Sequence, residues 1–374
     1  ALGRPGVVCM HCENWEIARI YDKRLKAEGR TDWATWSDRS PHFLEATHIR
    51  TYGDMAAETG CPIYIQHSTT PESYKEILEL RGRGVEIYAQ TGPHWLHFGK
   101  GEHNAWRINV PLRSRQNNPN IWTALQCGII DSVGSDHVVA WEPADYESSY
   151  NENIWNLKTG FTSRVEMHLP VLLEGVHQGK LTLERLVAVA CENPARIFGV
   201  YPQKGLIEVG ADADIVLVDL NREVTVKNEN VLTRSGWTVL DGHTIHGYPV
   251  ATFLRGKQMS KFDDGAPYPE FIGDADGHYL RRTPGQDLIP VAGGVGAMAE
   301  VSRRQKLQQA LNPVNAVTGI AKGAAGQAGA LGLALLQALQ DQLLDHLFAQ
   351  VGRIGQRLPP VPELEFDIGF PLHH

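Results

Sequence analysis

The chain is poor in cysteine: five in 374 residues (Cys9, Cys12, Cys61, Cys127 and Cys191), an odd number scattered through apolar contexts. That excludes a small disulfide-stapled scaffold and suits reduced thiols in a cytosol. Cys9 and Cys12 form a C-x-x-C, yet no second pair completes a zinc-thiolate set, so the pair reads as structure. Long apolar runs are missing too. Nothing approaches the roughly 18 consecutive apolar residues of a membrane span, and the first residues lack the basic, apolar and small-residue layout of a secretory signal. A soluble, cytoplasmic protein with no membrane partner is therefore expected. Positive charge is in deficit, with 35 Lys and Arg against 43 Asp and Glu for a net charge of -8. No basic patch outweighs the acids, which argues against a nucleic-acid partner.

What the chain does contain is a rhythm. Residues 6 to 12 form an apolar strand that ends at His11, followed by helical periodicity from about Glu16 to Glu28 and from about Phe43 to Thr59, closed by Gly60. Cys61 to Ser68 is again an apolar strand, and it too ends on a histidine, His67. A helix from about Glu72 to Gly82 precedes the strand Val85 to Gln90. A further helix, Ile121 to Cys127, precedes Ile130 to Val133, a run that breaks into Gly134 and Ser135 before Asp136 and His137. Strands alternating with helices, with polar residues at the strand ends, predict a parallel α/β layer with crossover helices. Only about four such strands can be counted, too few to close an eight-stranded barrel, so the chain reads as half of one.

In such a fold the chemistry sits at the carboxyl ends of the strands. His11, His67 and Asp136 each end a separate buried strand, and two imidazoles with a carboxylate are a ligand set for zinc that leaves a position open for water. Water on such a metal becomes a nucleophile near neutral pH. The bland readings stand beside this one: a strand-end histidine can be a satisfied structural residue, and Asp136 can cap the next helix. His94 and His137, close to the set, either face the substrate or are structural.

Beyond residue 140 a long loop leads to a helix around Phe161 to Gly175. Thr182 is placed to cap a helix from Leu183 to Cys191, and Asn193 to Gly199 closes the helical region. Residues 205 to 256 carry short β-rich pieces such as Ile215 to Val218 and Val250 to Leu254, separated by Gly and Asp turns. The predicted division is barrel over 1–200, β-sandwich segment over 201–262, and a Pro- and Gly-rich linker with a helical tail over 263–374. In that tail Leu336, Leu339, Leu343, Leu347 and Val351 fall at helical spacing, an apolar stripe that reads as a packing or assembly helix rather than a membrane-surface one, which would want Lys and Arg on its polar face.

Val8 to Asn14, Tyr64 to Ser68, Gly134 to His137, Asn193 to Gly199 and Lys204 to Asp214 together resemble successive signatures of the dihydropyrimidinase and hydantoinase branch of the amidohydrolase superfamily. The resemblance runs in order from about residue 6 to 285. It implies the second half of a (β/α)8 barrel with part of a small β-sandwich, and a centre of two zinc ions. The positions of His11 and His67 would then hold one zinc and that of Asp136 the other, with Asp136 also taking a proton from the zinc-activated hydroxide and delivering it to the departing ring nitrogen. Asn156 matches an asparagine that hydrogen-bonds the substrate imide. Asn109 falls where the family usually has a serine whose backbone contacts the ring.

The departures are as informative. The family's first half carries a His-x-His pair and a carboxylated lysine that bridges the metals, and this chain has no H-x-H. Its first barrel strands and the tyrosine that completes the substrate site are also without counterparts here. A first-half polypeptide, or a preceding segment, is thus an expected partner, alongside a small cyclic amide as substrate and a homo-oligomer, a tetramer by resemblance. Allantoinase and dihydroorotase are the alternatives within the enzyme class. A non-catalytic amidohydrolase-like scaffold is the alternative outside it.

Overall fold

The computed structural model describes residues 6–102, 107–137, 152–157, 165–263 and 269–282. In chain order it runs β1 (Val8–His11), α1 (Trp15–Ala27), α2 (Thr35–Asp38), α3 (Phe43–Thr59), β2 (Ile63–Gln66), α4 (Pro71–Gly82), β3 (Ile87–Thr91), α5 (Pro93–His97), α6 (Asn118–Gln126) and β4 (Ser132–Val133). The four strands pair in parallel in the order β1-β2-β3-β4, with His11 opposite Gln66 and Thr91 opposite Val133. Neighbouring parallel strands need crossovers, and a helix lies in each. All four therefore end at the same edge of the sheet.

Local chemistry sets the helix ends. Asn14 caps α1, its side-chain oxygen accepting from the Ile17 N–H at 3.2 Å, and Arg24 and Lys26 sit in the last turn where the dipole favours cations. Thr70 caps α4 in the same way through the Ser73 N–H, with Pro71 at the start, where its missing N–H costs nothing. Gly60 ends α3 at φ 64°, a conformation glycine takes without strain.

Period-two alternation divides the strands between two faces. Ile63, Ile65, Ile87 and Ala89 pack with Ile49, Ala56, Ile77 and Leu80 from α3 and α4, and Met10 lies against that cluster. Tyr64 and Tyr88 point the other way. Among the described residues β1 has β2 as its only strand neighbour, and Val8 is 45% exposed. An open edge of this kind is what half of a barrel presents.

β4 is shorter than the apolar run Ile130 to Val133 suggests. The buried Asp131 carboxylate accepts the Ala89 N–H at 2.7 Å and pairs with Arg81 at 2.6 Å, so the strand ladder starts only at Ser132. Burial pushes the Asp131 carboxyl up, against the pull of Arg81 and the Ala89 N–H.

The chain continues with α7 (His168–His177), α8 (Leu183–Val187), a π-turn over Ala188–Glu192, and α9 (Asn193–Ile197), whose Ile197 packs on Tyr64 and Tyr88. The helix expected to run unbroken from Leu183 to Cys191 widens here because Pro194 has no N–H to give the preceding turn. Then β5 (Ile215–Thr225), β6 (Thr244–Leu254), β7 (Lys257–Lys261) and β8 (Glu270–Phe271) form one antiparallel sheet in that order. Its last strand lies beyond residue 262, where sequence alone suggests a linker.

A shared apolar cluster, with Leu96, Leu172, Val239 and Ile245 among its members, joins the parallel layer to the antiparallel sheet, and histidines line the junction. His97 Nε2 of α5 lies 3.2 Å from His243 Nδ1 ahead of β6, Glu174 of α7 accepts the His246 N–H at 2.7 Å, and the His177 and His246 rings stack at 4.1 Å. No helix among the described residues is long and apolar enough to cross a membrane. Contacts divide the chain into Ala1–Arg304 and Gln305–His374, and the apolar stripe from Leu336 to Val351 lies outside the described residues.

Candidate active site

Two of the three expected ligands meet. His11, the last residue of β1, and His67, one residue past β2, bring Nδ1 and Nε2 to 2.9 Å of one another, with the rings edge-on at 71°. Adjacent parallel strands place them there, since His11 registers with Gln66. His67 has φ 41° and Asp136 φ 49°, left-handed backbone that non-glycine residues adopt rarely and that clusters at functional sites.

The strand-end loops are tied down by polar groups. The Gln90 side-chain oxygen accepts the His67 N–H at 3.2 Å, and its backbone carbonyl accepts the Ser68 N–H. Gly134, just past β4, makes room for this: a methyl group there would lie 1.9 Å from Gln90 Nε2. Beneath the His67 loop, the buried Glu45 of α3 accepts from the Thr69 N–H at 2.9 Å, the Thr69 hydroxyl, the Ser73 hydroxyl and the Arg113 guanidinium. Arg113 also donates to the Ser40 carbonyl and the Thr69 hydroxyl. The pair is fully hydrogen-bonded, as a buried ion pair has to be.

Around His11 the charged groups lie close but are less fully satisfied, both Glu13 oxygens and Arg39 Nη1 being buried without a hydrogen bond among the described residues. Its Nε2 lies 3.5 Å from Glu13 Oε2, and Glu13 Oε1 lies 3.7 Å from Arg39 Nη1. Arg39 is wholly buried, paired with Asp22 at 2.6 Å and held between the Trp15 and Trp36 rings. Burial raises the Glu13 carboxyl, but His11, Ser40 and Arg39 outweigh it and hold the group below its ordinary range.

Asp136 follows β4 by three residues, half-buried, at the strand-end edge that carries the histidine pair. His94 is fully buried with its ring on Trp95 at 3.7 Å, and Trp95 in turn lies against His67 at 5.4 Å. His137 Nδ1 lies 3.5 Å from the Val165 N–H. Asn109 stands between two carbonyls held by tryptophans, Ile108 O by Trp36 and Val110 O by Trp95, and the described contacts do not join it to the histidine pair. Asn156 is exposed, on a segment anchored to Arg30 and Thr31, and the described contacts do not join it to the histidine pair. Sequence reasoning passed over Glu13, Arg39, Glu45, Gln90 and Arg113. Only the spacing of Glu13 two residues after His11 could have drawn attention to one of them.

The donor set suits a divalent cation. Two imidazole nitrogens bound to one tetrahedral zinc at about 2.0–2.1 Å would stand about 3.3 Å apart, within a few tenths of the separation observed here. Among the described residues no group of three or more His, Cys, Asp or Glu is placed to hold a metal, so the pair accounts for two ligands of such a site.

The Amidohydrolase family profile matches residues 8–256. The chain is 32% identical to the L-hydantoinase of Paenarthrobacter aurescens over 68% of its own length and 56% of the relative's. It is 30% identical to the D-hydantoinase of Ralstonia pickettii over 75% and 62%. Allantoinases and a dihydroorotase are similar at comparable identity. Among solved structures, the D-hydantoinase (dihydropyrimidinase) of a Thermus species superposes with a TM-score of 0.67 at 28% identity, covering 76% of this chain and 61% of that one. The chain thus spans a little over half the length of the curated relatives it matches.

Proposed function

The chain belongs to the amidohydrolase family, and from that premise we propose that it forms part of a zinc-dependent hydrolase that opens a hydantoin- or dihydropyrimidine-type ring. The observation that carries this reading is the convergence of His11 Nδ1 and His67 Nε2 at neighbouring strand ends. A bound divalent metal supplies polarisation of the ring carbonyl and a water acidic enough to attack near neutral pH. His11 and His67 hold one zinc position and Asp136 the other. The Asp136 carboxylate takes the proton of the attacking water and returns it to the ring nitrogen as the C–N bond breaks, so the proton lost by water ends on the ureido nitrogen of the opened ring. Asn109 and Asn156 orient the ring amide. Remaining ligands, a carboxylated lysine among them, come from a first-half polypeptide or preceding segment that completes the barrel, in a cytoplasmic homo-oligomer.

Ring opening of hydantoin and dihydrouracil by the complete assembly tests the proposal. Asp136→Asn should lower turnover by roughly 10² to 10⁴, the worth of a general acid/base, while the far-ultraviolet spectrum stays native. Near-normal turnover in that variant would remove Asp136 from the mechanism. A complete assembly that opens neither ring and takes up no zinc would favour the scaffold reading instead.

A further inference from the structure

We propose that Glu13 is the positioning residue that commits His11 to presenting Nδ1, lone pair outward, toward His67; the inference rests on the metal-centre reading above. A neutral imidazole carries one proton and one lone pair on its two nitrogens. In His11 the two nitrogens face different partners, Nδ1 toward His67 Nε2 at 2.9 Å and Nε2 toward the Glu13 carboxylate at 3.5 Å. A lone pair on Nε2 would face a carboxylate that carries no proton to share, which is repulsive. The proton therefore belongs on Nε2, and Nδ1 keeps the lone pair that a cation needs. A carboxylate behind a ligating imidazole is the arrangement that fixes both tautomer and ring plane in metal sites.

Glu13 is itself held. With 2% exposure it cannot swing into solvent, and it faces Arg39 at 3.7 Å. That guanidinium is immobilised by Asp22 and by the Trp15 and Trp36 rings. Asp22 and Trp15 belong to α1 and Trp36 to α2, so two helices brace one ring nitrogen at the end of β1.

The test is nitrogen-15 NMR of the imidazoles in the metal-free native chain, with His11 identified by its loss in His11→Gln. His11 is expected to carry its proton on Nε2. Glu13→Ala should turn it into a mixture of tautomers and raise the zinc concentration for half-saturation about tenfold or more. Glu13→Gln, whose amide oxygen keeps an acceptor facing Nε2, should keep the native tautomer and recover most of the affinity. A native His11 protonated on Nδ1 would overturn the assignment without recourse to any variant. So would an unchanged tautomer and unchanged zinc affinity in Glu13→Ala, measured where His67→Ala abolishes zinc uptake. If the complete assembly took up no zinc the metal-centre reading would fall by itself, and the tautomer of the metal-free protein would still decide the part played by Glu13.

Discussion

At the scale of single residues, the site depends on small spaces as much as on ligands. Gly134 stands where any side chain would collide with Gln90, and Gln90 is what holds the His67 backbone. Gly134→Ala should therefore push the Gln90 amide away and cost about 1–3 kcal/mol, the usual range for overpacking, read as a lower urea midpoint with an unchanged slope. Unaltered stability together with an unaltered His67 amide resonance would show that Gln90 can move aside freely. His11, His67 and Asp136 could be found in the sequence because each ends an apolar run, and strand ends are where side chains leave the sheet. Arg39 and Glu45 could not. Their importance comes from being fully buried opposite partners 17 to 68 residues away, as in Arg39–Asp22 and Glu45–Arg113, and no local pattern encodes that.

At the scale of elements, a helix start and a helix stop were legible where a cap and a glycine mark them, at Thr182 and Gly60. The parallel order of the strands followed from their alternation with helices. The short β4 and the π-turn after α8 were not legible, since one depends on a side chain replacing a backbone acceptor and the other on the N–H that Pro194 lacks. Helix packing was equally hidden. Gly53 of α3 lets α4 approach so closely that a methyl group would lie 2.2 Å from Leu80 Cδ1. Gly53→Ala should lower stability by about 1–3 kcal/mol despite alanine's better helix propensity. Combined with Leu80→Ala, the loss should be smaller than the sum of the two single changes, by the coupling expected of residues in contact. Strict additivity in thermal melts would mean the helices separate at no cost.

At the scale of the whole molecule, the ligand set described here is partial, so this chain alone should hold zinc weakly and the complete assembly about two ions per active site, as two-metal sites do. Elemental analysis of both preparations would check this; tight stoichiometric zinc on the single chain would contradict it. Stability should also respond to acid. His97 is pushed down to about 4 by burial first, then by His243 and Arg115, with Glu174 opposing and Lys180 adding to the fall. Its ordinary value is about 6.5, so between those limits the unfolded chain binds a proton that the native one refuses. The contribution of His97 is therefore full above about pH 6.5 and is lost as pH falls toward 4, up to about 3 kcal/mol in all. Glu174 acts in the same sense at lower pH: burial raises it, yet the His246 contacts and Gln178 hold it below its ordinary value, so protonating it also favours unfolding. His97→Asn should flatten the pH dependence of the urea midpoint between pH 7 and pH 4.5, and an unchanged slope would place the acid sensitivity elsewhere. His97 lies where the parallel layer meets the antiparallel sheet, beside an apolar cluster that both share, and the contribution it loses in acid lowers the cooperativity between them. Near neutrality the two sheets should melt in one calorimetric transition whose measured and van't Hoff enthalpies agree. Near pH 4.5 they should part company, with the antiparallel sheet and the parallel layer unfolding in separate steps, so that a change of acidity alone turns one thermodynamic unit into two.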